Sequence, residues 1–207
     1  SSSSAASDVY KRQILDLLRH ASTGRAGHLD GRTDPPLMDG AMDALYRSHA
    51  GIGWSRVITS PRRRALDTAH ALVAGSNQFC EIHPDWAELD FGDWDGLHFD
   101  EVPAEQLAGF YSEPHDVVPP NGESWQQFQA RVEAQLHRLV DEDDGDGQPV
   151  LVVSHAGVLR LVVSRGCGMS LSSLWAMRID YGTRVRLRVE RGEDGQLWGE
   201  LLELRQP

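Results

Sequence analysis

Two apolar runs lying far apart in this 207-residue chain each end on a histidine: Ile14-Leu15-Asp16-Leu17-Leu18-Arg19-His20 and Val150-Leu151-Val152-Val153-Ser154-His155. Short runs of this kind read as buried strands, the pattern of a parallel sheet covered on both faces. Parallel neighbours need long crossovers between them, so helices must alternate with the strands. Open sheets of that class bind ligands beyond the carboxyl ends of their strands. Arg19, His20 and His155 would then share one rim. A third run, Arg56-Val57-Ile58-Thr59-Ser60, stops at Pro61 and delivers Arg62, Arg63 and Arg64 to the first turn of a helix. Helix N-termini attract anions. A neutral imidazole is a nucleophile, and a guanidinium grips an oxyanion in bidentate fashion. A lone histidine after a strand, or three arginines in a row, is ordinarily structural. Their joint arrival at three strand ends points to a site for an anionic substrate.

The remaining elements follow from periodicity. Residues 38–49 and 62–73 carry apolar positions at helical spacing, and 79–83 is a weak strand. Residues 86–120 mix aromatics, acids and prolines and read as an irregular excursion above the sheet, where specificity is commonly carried. Ser124 is a plausible N-cap for a helix to residue 140, with Trp125, Phe128, Val132, Leu136 and Leu139 on one face. Residues 141–147 are acidic and read as a solvated turn; no glutamate closes them into a calcium loop. A helix over 158–165 follows the second histidine. Strands over 184–190 and 197–204 flank Glu193-Asp194-Gly195, a hairpin signal. The expected fold is a three-layer αβα sandwich whose mostly parallel central sheet has an antiparallel edge.

A net charge of -11 and a pI of about 5.2 argue against nucleic acid or an anionic membrane as partner. A cationic pocket for a small anion remains compatible with them. Cys80 and Cys167 are far apart and read as reduced thiols of a cytoplasmic protein. No apolar stretch is long enough to span a membrane. Ser1 to Ser7 is low in complexity, and Asp8-Val9-Tyr10-Lys11-Arg12-Gln13 reads as the translation of a transposon end. Residues 1–13 are therefore expected to be a disordered or artefactual segment, and 14–207 the folded domain, with 89–123 as a cap over the site.

Four motifs in order resemble those of the histidine phosphatase superfamily, the phosphoglycerate mutase-like proteins. Arg19-His20-Ala21-Ser22-Thr23 is similar to R-H-G-x-T, and Ser60-Pro61-x-x-Arg64-Ala65 to S-P-x-x-R-A, which selects Arg64 among the three arginines. Residues 87–96 resemble the segment bearing the family's acidic proton donor, and Ser154-His155-Ala156-Gly157 its second-histidine motif. The resemblance implies His20 as nucleophile, Glu88 as proton donor in preference to Asp90, Asp93 and Asp95, and His155 as a further catalytic group. It also implies a phosphate cage of Arg19, Arg64 and His155, with Ser22, Thr23 and Glu123 touching substrate. No metal and no cofactor is implied. Ala21 and Ala156 stand where glycine is common, Ser22 where glutamate is common, and Ala26 where many members have asparagine.

Within the superfamily, Gly31-Arg32-Thr33-Asp34-Pro35-Pro36-Leu37, the run from Phe110 to Ser124 and the run from Leu174 to Gly182 are similar to the α-ribazole phosphatases of cobalamin synthesis. The implied substrate is a small phosphomonoester, α-ribazole 5'-phosphate. Trp94, Phe99, Phe110, Tyr111 and Trp125 could stack on its flat base or could simply close a small core. The alternatives are a broad-specificity sugar-phosphate or nucleotide phosphatase, a phosphoglycerate mutase and a silent phosphate binder. The mutase pattern after Glu88 is missing, and a silent binder has no use for the acid. Oligomeric state stays open, because the C-terminal hairpin suits a dimer edge and an ordinary sheet edge equally.

Overall fold

The computed structural model describes residues 12–142 and 147–207. Six strands form one sheet: β1 (Arg12–Arg19), β2 (Arg56–Thr59), β3 (Cys80–Ile82), β4 (Val150–Ser154), β5 (Arg184–Arg191) and β6 (Leu197–Arg205), in the order β3-β2-β4-β1-β5-β6. The first four run parallel, and β5 and β6 add an antiparallel edge. β1 and β4 are direct neighbours with Arg19 opposite Ser154, and the His20 amide donates to the Ser154 carbonyl at 2.9 Å. β2 lies beside β4, and the Ser60 amide donates to Val153. The register alone thus sets His20, Ser60 and His155 side by side on one rim.

Side-chain alternation divides the core in two. Leu18, Val57, Leu151 and Val153 pack against Ala65 and Ala69 of α2 (Arg63–Leu72) and Leu45 of α1 (Asp43–His49). Leu15, Leu17, Ile58 and Val152 face the other way, against α4 (Trp125–Asp141) and α5 (Ala156–Gly166). Helices on both faces make the expected αβα sandwich. Ser124 caps α4 as its sequence suggests, in a reciprocal box with Gln127. Asp16, on the α2 side of β1, is fully buried. It accepts from Trp54 at 2.8 Å and Arg186 at 2.7 and 2.8 Å, with Arg184 at 3.4 Å.

Four expectations change. Arg12 and Gln13, assigned to the foreign segment, are the first positions of β1, opposite Glu190 and Val189, and Gln13 is buried; residues 1–11 lie outside the described residues. The helix expected from residue 38 starts only at Asp43, because Gly40 takes a left-handed φ of 73° that breaks the helical path. The excursion holds a helix, α3 (Ala104–Ser112), which surrounding prolines concealed. The last helix begins at Ala156, directly on the second histidine. Of the acidic turn, residues 143–146 are outside the described residues. Among the described residues no helix is long and apolar enough to cross a membrane, and both cysteines are free thiols.

Candidate active site

His20 stands at the end of β1, buried apart from a 4% exposure. Its Nδ1 lies 2.8 Å from the Ala21 carbonyl, which can only accept, so Nδ1 carries the proton and Nε2 keeps its lone pair. Burial first, then the charges of Arg19 and Arg64, hold the imidazole pKa well below its ordinary value. The ring is neutral at neutral pH, as a nucleophile requires. The Ala21 methyl is buried under α2, and its amide donates to Thr68 Oγ1 at 3.0 Å, so the family's glycine is replaced without opening the strand end.

Arg64 faces His20 from the first turn of α2, with Nε donating to His20 Nε2 at 3.2 Å. Its other nitrogens are held by the Thr33 and Asp30 carbonyls at 2.7 and 2.6 Å, the Asp34 carboxylate at 3.0 Å and, at longer range, the Gly31 carbonyl. Asp34 also accepts from the Arg63 and Arg64 amides and thereby caps α2. Arg63 instead points to solvent beside Asp67.

Arg19 donates to the Ile179 carbonyl at 2.7 Å and lies 3.8 Å over the ring of Tyr181, while its Nε is buried without a partner among the described residues. His155 sits 5.2 Å from His20 between ring centroids. Its Nε2 bonds Ser60 Oγ at 2.7 Å, and its Nδ1 is buried with no partner among the described residues. Burial, followed by Arg64, His20 and Arg19, lowers its pKa well below the ordinary value too. Two unsatisfied nitrogens on one cavity wall are the mark of a place meant for a ligand oxygen.

The Glu88 carboxylate accepts from the Leu89 amide and from the Gly157 amide, each at 3.0 Å. Gly157 belongs to the first turn of α5, so the acid rests on a helix N-terminus. The other acids of its segment are engaged elsewhere: Asp90 with Gly92 and Arg32, Asp93 with Asn121, Asp95 with residues 31–33. Of these four, Glu88 alone reaches the cavity wall.

Arg19, His20, Arg64, Glu88 and His155 surround one end of a cavity of about 270 Å³. Thr23 reaches it and touches the Tyr181 hydroxyl at 3.2 Å. Ser22 does not; its hydroxyl accepts from the Gly24 amide in a local turn. Glu123 does not either. It pairs with Arg131 at 2.7 Å, and Arg131 holds the Asp85, Ala87 and Glu88 carbonyls, so Glu123 shapes the loop that carries the acid. Phe99, Phe110, Tyr111 and Trp125 line the far end, whereas Trp94 stays beneath, edge-on to Phe110.

Sequence reasoning did not single out His28, Arg160, Trp175 or Tyr181 as lining residues. Arg160 had a legible signal: it is the one charge in the apolar run Val158-Leu159-Arg160-Leu161-Val162. Its Nε donates to the Met177 carbonyl at 3.3 Å and its guanidinium lies 5.5 Å from the Trp175 centroid. Trp175 and Tyr181 lie in the run Leu174 to Gly182 that resembles the α-ribazole phosphatases, but nothing in that run says which of its side chains reach the cavity.

The chain that carries this constellation is similar to known proteins. A family model of the histidine phosphatase superfamily (branch 1) matches residues 15–198. The chain belongs to that superfamily, and it is a phosphatase. It is 34% identical over 176 residues to the adenosylcobalamin/alpha-ribazole phosphatase of Salmonella typhimurium, covering 81% of this chain and 86% of that one. The Escherichia coli protein of the same description is 31% identical over the same length. The crystal structure of the alpha-ribazole phosphatase from Shigella flexneri superposes with a TM-score of 0.77 at 27% identity, covering 94% of this chain and 96% of that one.

Proposed function

We propose that this chain hydrolyses phosphomonoesters through a phosphohistidine on His20, without a metal or cofactor, and that its substrate is α-ribazole 5'-phosphate of the cobalamin nucleotide loop. The observation that carries the mechanism is the His20 ring. Nδ1–H is tied to a carbonyl, and the unprotonated Nε2 accepts from Arg64 Nε on the cavity wall. A phosphate entering between His20 and His155 takes over the contacts of Arg64 Nε and the unsatisfied Arg19 Nε. With Ser60 donating to His155 Nε2, His155 Nδ1–H becomes a third donor to a non-bridging oxygen. Nε2 then forms the N–P bond as the ester P–O bond breaks, and Glu88 gives its proton to the departing alkoxide. In the second half Glu88 takes a proton from water as the new O–P bond replaces N–P. Positioning and charge supply most of the rate in phosphoryl transfer.

The leaving group occupies the far end of the cavity. The terminal nitrogens of Arg160 have no hydrogen-bond partner among the described residues, and its sugar hydroxyls supply the acceptors. The aromatic base lies among Phe99, Tyr111 and Trp175. The similarity to adenosylcobalamin/alpha-ribazole phosphatases supports the substrate. The free thiols of Cys80 and Cys167 accord with a cytoplasmic location. A broad-specificity phosphatase is the second reading, favoured by a 28% identical relative described as a phosphoserine phosphatase. The test is kcat/KM, without added metal, for α-ribazole 5'-phosphate beside p-nitrophenyl phosphate, phosphoserine, 3-phosphoglycerate and a mononucleotide. A preference of roughly a hundredfold or more, about what a pocket gains from one extra methylene-sized contact, supports the named substrate. Equal turnover across the panel discards it.

A further inference from the structure

The cap is bonded to the catalytic arginine through a continuous set of contacts. Asp95, in the cap, accepts four hydrogen bonds from three consecutive residues of the loop before α1. Oδ1 takes the Gly31 and Arg32 amides at 2.9 and 2.6 Å; Oδ2 takes the Thr33 amide and hydroxyl at 2.8 and 2.6 Å. With its amides turned towards Asp95, the loop offers the carbonyls of Asp30, Gly31 and Thr33 to Arg64. The two segments are stitched further by Leu29 to Leu97, Gly96 to Leu29 and Phe99 to Gly27 backbone bonds. Arg25 reinforces them, pairing with Asp30 and donating to the Gly96 carbonyl. A side chain at Gly31 would strike the Leu89 carbonyl at 2.2 Å, so the approach tolerates no bulk.

We propose that Asp95 is a positioning residue for phosphoryl transfer: it fixes the carbonyl cradle of residues 30–33 and so holds Arg64 against the nucleophile. This rests on the phosphatase mechanism above and extends it to a residue that never meets substrate. Two peptide units, Asp30–Gly31 and Gly31–Arg32, present their amides to one carboxylate and their carbonyls to one guanidinium, and Asp95 also holds the Thr33 amide and hydroxyl just before the Thr33 carbonyl that Arg64 takes. Without Asp95 the amides of residues 31–33 seek water, the carbonyls rotate with them, and Arg64 loses the acceptors that set its height over His20. A misplacement of about 1 Å at a reacting centre costs roughly a hundredfold.

The experiment compares Asp95→Ala, Asp95→Asn and Thr33→Val with the parent chain. Thermal unfolding establishes which variants fold, kcat is measured on p-nitrophenyl phosphate, and inorganic phosphate binding is followed by calorimetry. For Asp95→Ala, kcat and phosphate affinity fall together, kcat by roughly 10- to 100-fold. The acidic limb of kcat/KM also moves to higher pH, because a displaced Arg64 no longer depresses the His20 pKa. Asp95→Asn keeps one acceptor oxygen and falls between. Thr33→Val, which removes only the hydroxyl, loses a few-fold at most yet in the same two readouts, and it decides the matter if Asp95→Ala does not fold. A folded Asp95→Ala chain with kcat and phosphate affinity within twofold of the parent overturns the proposal, as does an unchanged Thr33→Val when Asp95→Ala is unfolded. If the parent hydrolyses no ester, the phosphatase mechanism fails, while phosphate binding still tests the clamp.

Discussion

Gly157 offers a test of the proposed role of Glu88 as general acid. A Cβ built there would lie 2.3 Å from Glu88 Oε1 and 3.1 Å from its Cδ, against about 3.4 Å for an ordinary contact. In Gly157→Ala the carboxylate must therefore retreat by roughly 1 Å, abandoning its 3.0 Å bond from the Gly157 amide. The fold should survive, because the displaced atoms are the end of a flexible side chain. The chemistry should not. General acid catalysis contributes about 10²–10⁴, and a loss of ~10² corresponds to about 2.7 kcal/mol in the barrier. An alkoxide needs the proton; p-nitrophenolate departs without it. Because kcat/KM reports events up to departure of the leaving group, it should fall roughly a hundredfold for an alkyl ester and only about threefold for p-nitrophenyl phosphate. Equal losses on both esters, or an alkyl-ester value within twofold of the parent in a folded variant, would refute the placement of the acid.

Other perturbations test separate parts. His20→Ala should abolish turnover of every ester, and Arg64→Met should cost roughly 10²–10³ in kcat, as for other donors to a developing oxyanion; steady-state assays on p-nitrophenyl phosphate read both. Arg160→Met should lower kcat/KM for the ribosyl ester by about tenfold, close to one hydrogen bond to a charged group, and leave p-nitrophenyl phosphate unchanged; equal losses on both would remove Arg160 from the leaving-group contact. His20 and His155 both have folded-state pKa values well below the ordinary histidine value. The unfolded chain thus binds more protons near pH 6, and stability must fall as pH drops below about 6.5. Urea titrations between pH 7.5 and 5 should show the midpoint declining. Asp16→Ala removes the buried acceptor of Trp54, Arg186 and Arg184, leaves Arg184 to Glu203 alone, and should lower the same midpoint, with about 1–3 kcal/mol expected from the unsatisfied buried Trp54 donor.

Much of the fold could be read from local pattern because the strands that matter are short, apolar and ended by chemistry. β1, β2 and β4 stop at Arg19-His20, Ser60-Pro61 and Ser154-His155, and parallel pairing then leaves no freedom in where those residues emerge. Glu88 was legible only by its motif: it sits in a loop shaped by Arg131 and Glu123, a pairing that periodicity cannot show. For the same reason Glu123 was assigned to substrate when its carboxylate is spent on Arg131. Arg12 and Gln13 were assigned to the foreign segment because Asp8 to Gln13 reads as a transposon end, whereas strand pairing depends on the backbone and recruits both residues to β1. The helix inside the cap, α3, was hidden by its neighbours. Pro103 starts it and Pro114 follows its end, and punctuation on both sides of so short a segment reads as loop.

If phosphate passes through His20, the covalent intermediate itself can be trapped and measured. The parent chain and a Glu88→Gln variant, slowed in both protonation and hydrolysis, would be mixed with p-nitrophenyl phosphate, quenched in alkali within milliseconds and digested for mass spectrometry. One acid-labile, alkali-stable phosphoryl group is expected on the peptide carrying His20, more abundant in Glu88→Gln and absent from His20→Ala. Turnover by the parent chain with no phosphoryl group on His20, or with the label on another residue, would contradict passage through His20.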